Sequence, residues 1–296
     1  MISKKNILVV TGGAGFVGSN LIKILLKKTI MKIISIDNYS TGTKKNHFKD
    51  KRVRYLKSDT QNISNILNIN KKKIHTIFHF GEFSRIYQSF VKMNECINSN
   101  TIGTNAVFNF CLNNHIKLVY SATSASIGNN GLDGNLSPYA FTKAKNLEML
   151  ANLKKWFKFK SEIIYFYNVY GPGQIKNGNM ATVIGIFEEQ YLNKKPLTVV
   201  RPGTQTRRFT HIYDTVEACY FAWKKNNSKY YSISSKKSYS ILQVAKMFNS
   251  KIKFLSSRSG ERYASALTKM HLSNKVNKIF GKIELKDYLK TFIKDN

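Results

Sequence analysis

Acidic residues are scarce: 16 Asp and Glu stand against 48 Lys and Arg in 296 residues, a formal charge of +32. So basic a chain invites a polyanion as partner. A nucleic-acid stripe, however, is clustered, rich in arginine and interleaved with aromatics. Here the cations are 40 Lys to only 8 Arg, spread from end to end, and the densest runs, Lys71-Lys72-Lys73 and Lys236-Lys237, are short. Asn and Ile are also heavily used, at 30 each, so the bias reads as compositional drift across the whole chain. The charge is expected to be a solvated lysine surface that keeps the protein soluble and draws in anionic ligands. No specific nucleic-acid partner is expected.

Cysteine is scarce too. Cys96, Cys111 and Cys219 are odd in number and show neither CxxC nor metal-ligand spacing, which argues against a disulfide framework and a zinc site and fits a reducing cytoplasm. Long apolar runs are absent. No stretch approaches the roughly 18 residues a membrane span needs, so no span is expected. The run Ile7 to Val10 after Lys4-Lys5 is only four residues long and stops at Thr11-Gly12-Gly13, which reads as a strand and not a leader. With 42% hydrophobic residues the chain can build a real core, which excludes disorder of the whole.

Short apolar runs at Asn6 to Thr11, Lys32 to Ile36, Val53 to Leu56, His75 to Phe80, Ile116 to Ser121 and Glu162 to Tyr167 predict strands. Helical spacing at Phe16 to Lys28, Ser64 to Ile69, Met93 to Asn113 and Tyr139 to Phe157 falls between most of them. Alternating strands and helices predict an α/β fold with a parallel sheet covered on both faces. After Asn168 the rhythm breaks at Gly171, Pro172, Gly173 and Gly178. We therefore expect a first domain over 1–168, completed by about 205–226, and a smaller mixed α/β substrate region over 169–204 and 227–296.

Gly13-x-Gly15-x-x-Gly18 follows a predicted strand and opens a predicted helix, the context a dinucleotide fingerprint requires. The glycines permit a tight turn, close backbone approach to a pyrophosphate and close helix packing, and the helix N-terminus offers N–H groups and a positive dipole end. Asp37, 19 residues beyond Gly18 at the end of the second strand, is where a carboxylate accepts both hydroxyls of an adenosine ribose. That carboxylate favours NAD over NADP, although Lys44 and Lys45 nearby leave NADP open.

Tyr139 and Lys143 begin a predicted helix just after Ser137-Pro138, and their i,i+4 spacing places phenol and ammonium on one face. A free phenol has a pKa of about 10 and is a poor base near neutrality. An adjacent ammonium can lower it.

Taken in order, Thr11-Gly12-Gly13-Ala14-Gly15-Phe16-Val17-Gly18, Asp37-Asn38, Tyr139 with Lys143, and Asn168-Val169-Tyr170-Gly171-Pro172 resemble the extended short-chain dehydrogenase/reductase family of nucleotide-sugar epimerases and dehydratases. Gly203 to Thr210 and Arg258-Ser259-Gly260-Glu261 are similar to that family's substrate-domain signatures. The resemblance covers nearly the whole chain and implies a Rossmann-type doubly wound sheet. It implies NAD contacts at Gly12, Gly15, Phe16, Val17, Asp37, Asn38, Asp59, Thr60, Phe80, Gly81, Asn100, Tyr139, Lys143 and Phe166. It places the catalytic hydroxyl at Thr123, with Ser124 next in line, and substrate contacts at Thr123, Tyr139, Asn168, Arg207, Arg258 and Glu261. It also implies a homodimer in which the helix around Met93 to Asn113 and the one starting at Tyr139 pack as a four-helix bundle.

In such relatives Tyr139 would take the hydroxyl proton of a sugar carbinol while hydride passes to the nicotinamide and Thr123 holds the same oxygen. The dehydratases place Asp-Glu after the catalytic hydroxyl and the related decarboxylases usually a Glu, whereas this chain has Ser124-Ala125, as the 4-epimerases do. The leading expectation is an NAD-dependent 4-epimerase of a nucleotide-diphosphate sugar, with a UDP-hexose as the first candidate. Two alternatives stand beside it: a net C4 dehydrogenase of a nucleotide sugar such as an NDP-heptose, and a non-catalytic NAD sensor or polyanion binder. The chain departs from the family pattern at Tyr165, Arg208 and Tyr213. It departs again at Glu82-Phe83-Ser84-Arg85, where the 4-epimerases carry a small residue and a cofactor-contacting lysine, which implies an unusual pocket edge.

Overall fold

The structure, a computed structural model, describes residues 5–127, 134–257 and 276–296. β1 (Ile7–Thr11), α1 (Phe16–Lys28), β2 (Lys32–Asp37) and β3 (Val53–Lys57) open the chain. α2 (Ile63–Leu67) leads into β4 (Ile74–His79). Next come α3 (Ile86–Val91), α4 (Met93–Ile97), a π turn at Asn98–Gly103 and α5 (Thr104–Asn113). β5 (Lys117–Thr123), α6 (Pro138–Phe157) and β6 (Ser161–Phe166) complete the first half. The second half holds β7 (Val169–Tyr170), α7 (Val183–Leu192), β8 (Leu197–Val200), β9 (Thr206–Arg207), β10 (Thr210–His211) and α8 (Ile212–Lys225). It ends with β11 (Tyr230–Ser234), β12 (Tyr239–Ser240), α9 (Ile241–Lys246), β13 (Ile252–Leu255), β14 (Val276–Phe280) and α10 (Leu285–Lys294).

Eight strands form one sheet in the order β14-β11-β6-β5-β4-β1-β2-β3, and every pairing in it is parallel. β1 is buried along its whole length because both faces are covered. Successive side chains alternate: Ile7 and Val9 join the apolar cluster with Val107, Leu118 and Leu150, while Leu8 and Val10 join the one with Leu21, Leu25, Val216 and Trp223. α5 and α6 thus cover one face, and α1 and α8 the other. The direction of the strand order reverses at β1 and β4, and the crevice outside their carboxyl ends is where ligands bind in sheets of this kind.

Two features differ from the sequence expectation. β11 and β14 lie within the stretch 227–296 assigned to the substrate region, yet both enter the large sheet, with Tyr230 opposite Ile163 and Val276 opposite Tyr230. The helix expected over Met93 to Asn113 is interrupted by the π turn, which carries the buried Asn100. Beyond the sheet, Tyr170, Phe187, Leu197, Phe209, Phe248 and Leu289 gather into a separate apolar core, framed by the short pairs β8 with β13 and β9 with β12. Among the described residues no helix is long and apolar enough to cross a membrane.

Candidate active site

The glycine turn lies between β1 and α1. Gly12 takes φ +68°, and a Cβ there would stand 2.8 Å from the Phe80 carbonyl carbon. A Cβ on Gly18 would collide with the Gly12 carbonyl oxygen, so α1 can start this close to β1 only with glycine at 18. Gly15 is the N-cap of α1, no side chain caps the helix, and its first turn holds no acid. Its leading N–H groups are therefore open to an anion. This uncapped helix end beside a bare glycine turn fits a pyrophosphate.

Asp37 ends β2 and reaches back to the turn, accepting the N–H groups of Ala14 at 3.0 Å and Tyr39 at 2.7 Å. Burial pushes its carboxyl up, and these donors pull it back down. Asn38 donates to Asp59 at 2.7 Å, which ties the ends of β2 and β3, and Thr60 is buried beside Gly103 of the π turn. Across the crevice, the Phe80 and Gly81 N–H groups donate to Thr11 Oγ1 at 3.1 and 3.0 Å. The Phe80 ring meets Phe166 edge-on at 5.6 Å. Asn100 faces inward: its Nδ2 donates to Phe83 O and Thr142 Oγ1, and its Oδ1 accepts from Phe83 N.

α6 starts at Pro138 with Ser137 as its cap, the Ser137 hydroxyl accepting from Ala140 N at 3.1 Å. Tyr139 N donates to Ser89 Oγ at 3.2 Å. The Tyr139 side chain is hydrogen-bonded to Thr123 at the end of β5, and burial pushes its phenol up to about 12 against that bond. Thr123 Oγ1 also accepts from Ala125 N at 3.2 Å. The structure thus brings Thr123 and Tyr139 together, with Lys143 on the next turn of α6.

One turn further along α6, the Lys143 ammonium is buried. It donates to the Ser121 carbonyl and to Glu82 Oε2, and sits 4.2 Å from the centre of the Tyr120 ring. Burial pulls its pKa down and the Glu82 charge opposes this. Glu82 also accepts from Thr104 Oγ1 at 2.9 Å, Tyr120 OH at 3.0 Å and Asn146 Nδ2 at 3.3 Å. Behind Thr104 lies His79, whose Nε2 is 2.9 Å from Thr104 Oγ1 and whose Nδ1 is 2.7 Å from Thr11 Oγ1. Thr11 already accepts two N–H bonds, so its proton goes to Nδ1, and Nε2–H donates to Thr104. Burial holds His79 near a pKa of about 4.

Sequence reasoning marked Glu82 as unusual but did not pair it with Lys143, and it missed His79, Thr104, Tyr120 and Asn146. The one signal was a lone acid directly after a buried strand in a chain with few acids. Of the expected substrate contacts, Asn168 donates to Arg208 O at 2.9 Å and Arg207 is buried on β9. Arg258 and Glu261 lie outside the described residues.

A family model described as "NAD dependent epimerase/dehydratase family" matches residues 8–234. The chain is 29% identical to an ADP-L-glycero-D-manno-heptose-6-epimerase of Brachyspira hyodysenteriae over 254 residues, 81% of this chain and 79% of that one. It is 30% identical to a UDP-N-acetyl-alpha-D-glucosaminuronate decarboxylase of Bacillus cytotoxicus over 264 residues, 82% of this chain and 78% of that one. The fold matches a UDP-glucuronic acid 4-epimerase of Bacillus cereus, solved with UDP-glucuronic acid and NAD, with a TM-score of 0.83 and 25% identity over 98% of this chain and 99% of that one. The fold, the glycine turn and these matches agree: the chain belongs to the NAD-dependent epimerase/dehydratase family of nucleotide-sugar enzymes, with NAD as its cofactor.

Proposed function

We propose that this protein is a nucleotide-sugar 4-epimerase acting on a UDP-hexose or a close relative. The observation that carries the reading is the Thr123–Tyr139 hydrogen bond followed by Ser124-Ala125-Ser126, which offers no carboxylate for elimination or decarboxylation next to the reacting carbon. Tyr139 takes the proton of the C4 hydroxyl and later returns one, while Thr123 holds the same oxygen and fixes its direction. NAD, when bound, supplies the hydride acceptor and donor for that carbon. Gly12, Gly15, Phe16 and Val17 would hold its pyrophosphate, Asp37 and Asn38 its adenosine ribose, and Asp59, Thr60, Phe80, Gly81 and Phe166 would line the rest of the crevice.

Arg207 and Asn168, beside the separate apolar core, would bind the nucleotide diphosphate, with Arg258 and Glu261 completing that side. We place the enzyme in the cytoplasm, in keeping with three buried, free thiols. We also propose a homodimer: Phe90, Val91, Met93 and Ile102 on α3 to α5 and Phe141 and Met149 on α6 are each at least 42% exposed, an apolar face that a second copy would cover.

The test is to incubate the protein with a panel of nucleotide sugars, following products by NMR and mass. An isomer of unchanged mass supports the epimerase. A product lighter by two hydrogens makes the protein a net dehydrogenase; absence of turnover together with salt-dependent binding that prefers one polyanion over others supports the non-catalytic binder, whereas equal binding of any polyanion reports only the diffuse charge.

A further inference from the structure

The loop that leaves β4 carries two charged side chains, and they are matched unequally. Glu82 accepts from Lys143, Thr104, Tyr120 and Asn146. Arg85 has no such counterpart. Its Nε and Nη2 donate to Met180 O at 2.9 and 2.6 Å and its Nη1 to Ser84 O at 3.0 Å, while Ser84 Oγ stands at the outer limit of a hydrogen bond, 3.5 Å from Nη1. Among the described residues no carboxylate comes within ion-pair distance of it. A part-buried cation held only by neutral oxygens is costly until an anion joins it. The same bonds show which side is open. A guanidinium is planar with five N–H groups. Nε and Nη2 form the edge that shares Met180 O, so one N–H on each Nη is left, the two side by side on the end of the group. Such a fork takes a carboxylate or a phosphate through two parallel bonds.

The place of Arg85 selects the anion. Phe83 and Ile86, on either side of it in the chain, pack against the cluster of Cys96, Ala125, Tyr139 and Ala140. Met180 lies on the segment between β7 and α7, on the far side of the crevice. Arg85 thus bridges the wall that holds Tyr139 and the region expected to hold the substrate. Burial pulls its pKa down, and the Tyr139 phenol opposes this. The phosphates have other places, at the glycine turn and at Arg207. On a hexose ring C4 is flanked by C3, which bears a hydroxyl, and by C5, which bears C6, the carbon that can be a carboxylate. We propose that Arg85 is a specificity-determining residue whose open N–H pair takes the C6 carboxylate of a nucleotide-linked hexuronic acid. This rests on the reading of Tyr139 as the base at C4. A neutral hexose leaves the guanidinium without a counter-charge and therefore binds less well.

The experiment is calorimetric titration of the NAD-loaded protein with UDP-glucuronic acid and with UDP-glucose, which needs no turnover. Wild type should bind the glucuronic acid about tenfold or more tightly than the glucose, the effect of a charge-assisted pair of hydrogen bonds. Arg85→Met should lose that preference, weakening the glucuronic acid about tenfold and the glucose far less. Arg85→Lys is the second arm. It keeps a charge and a donor for Met180 O, so the two segments stay joined, but a point charge cannot take a carboxylate edge-on, and the preference should shrink without vanishing. Three results would overturn the proposal: a wild type that binds both sugars alike, variants that weaken both sugars equally, which would make Arg85 a strap between segments, or variants whose loss is in NAD affinity, which would put a cofactor phosphate on the fork. A wild type that binds neither sugar removes the nucleotide-sugar reading itself, and this proposal with it.

Discussion

Asn100 and the backbone of Phe83 are joined by a double hydrogen bond, Phe83 N donating to Asn100 Oδ1 at 2.6 Å and Asn100 Nδ2 donating to Phe83 O at 3.1 Å. A side-chain amide here completes the hydrogen bonding of a loop that leaves β4 and has no strand beside it. The resemblance assigns Asn100 to the cofactor, but its amide is occupied in holding the segment that carries Glu82 and Arg85. Asn100→Ala should destabilise the protein by about 1–3 kcal/mol, the usual result of stranding a buried polar group. Urea denaturation would show it, and an unchanged midpoint would refute the role.

Tyr139 supplies the second prediction. Tyr139→Phe keeps the ring and removes the proton carrier, so turnover of the accepted nucleotide sugar should fall a hundredfold to ten-thousandfold, with NAD affinity changed far less. Thr123→Val, which spares the base, should cost less. Normal turnover by the phenylalanine variant would remove Tyr139 from the mechanism.

Gly18→Ala should be severe for so small a change. Its methyl would press on the Gly12 carbonyl oxygen, a backbone atom that cannot swing away. The turn must shift, at about 1–3 kcal/mol of stability and roughly a tenfold loss of NAD affinity. Calorimetric titration with NAD alongside thermal melting reads both.

His79 predicts an acid weakness. The unfolded chain takes up a proton near the ordinary histidine value of 6.5, while the buried ring resists until about 4. The stability His79 contributes is thus complete above 6.5 and is lost as the pH falls to about 4, about 3 kcal/mol in all. His79→Gln should be less stable at neutral pH yet flatten that part of the profile. If wild type and variant lose stability in parallel between those limits, the ring is not held neutral.

Five of the first six strands were legible because strands buried on both faces are written as short apolar runs; β3, a part-exposed edge strand, showed only through Val53, Tyr55 and Leu56. β11 and β14 were not, since Tyr230-Tyr231-Ser232-Ile233-Ser234 mixes polar with apolar residues and β14 carries exposed Asn277 and Lys278 at the sheet edge. The glycine turn and the Tyr139–Lys143 spacing are local and could be read directly. The Glu82–Lys143 pair spans 61 residues and exists only because β4 and β5 lie side by side, which no local pattern records.

The place of β14 bears on how the molecule is made. The outer neighbour of β11 is formed by residues 276–280, so a nascent chain emerging from the ribosome shows the open backbone edge of β11 until those residues, more than forty further along, have been synthesised. Truncation before β14 would leave that edge permanently bare, a template for pairing between chains, and the product should be lost to aggregation even though every residue of the crevice between β1 and β4 is still present.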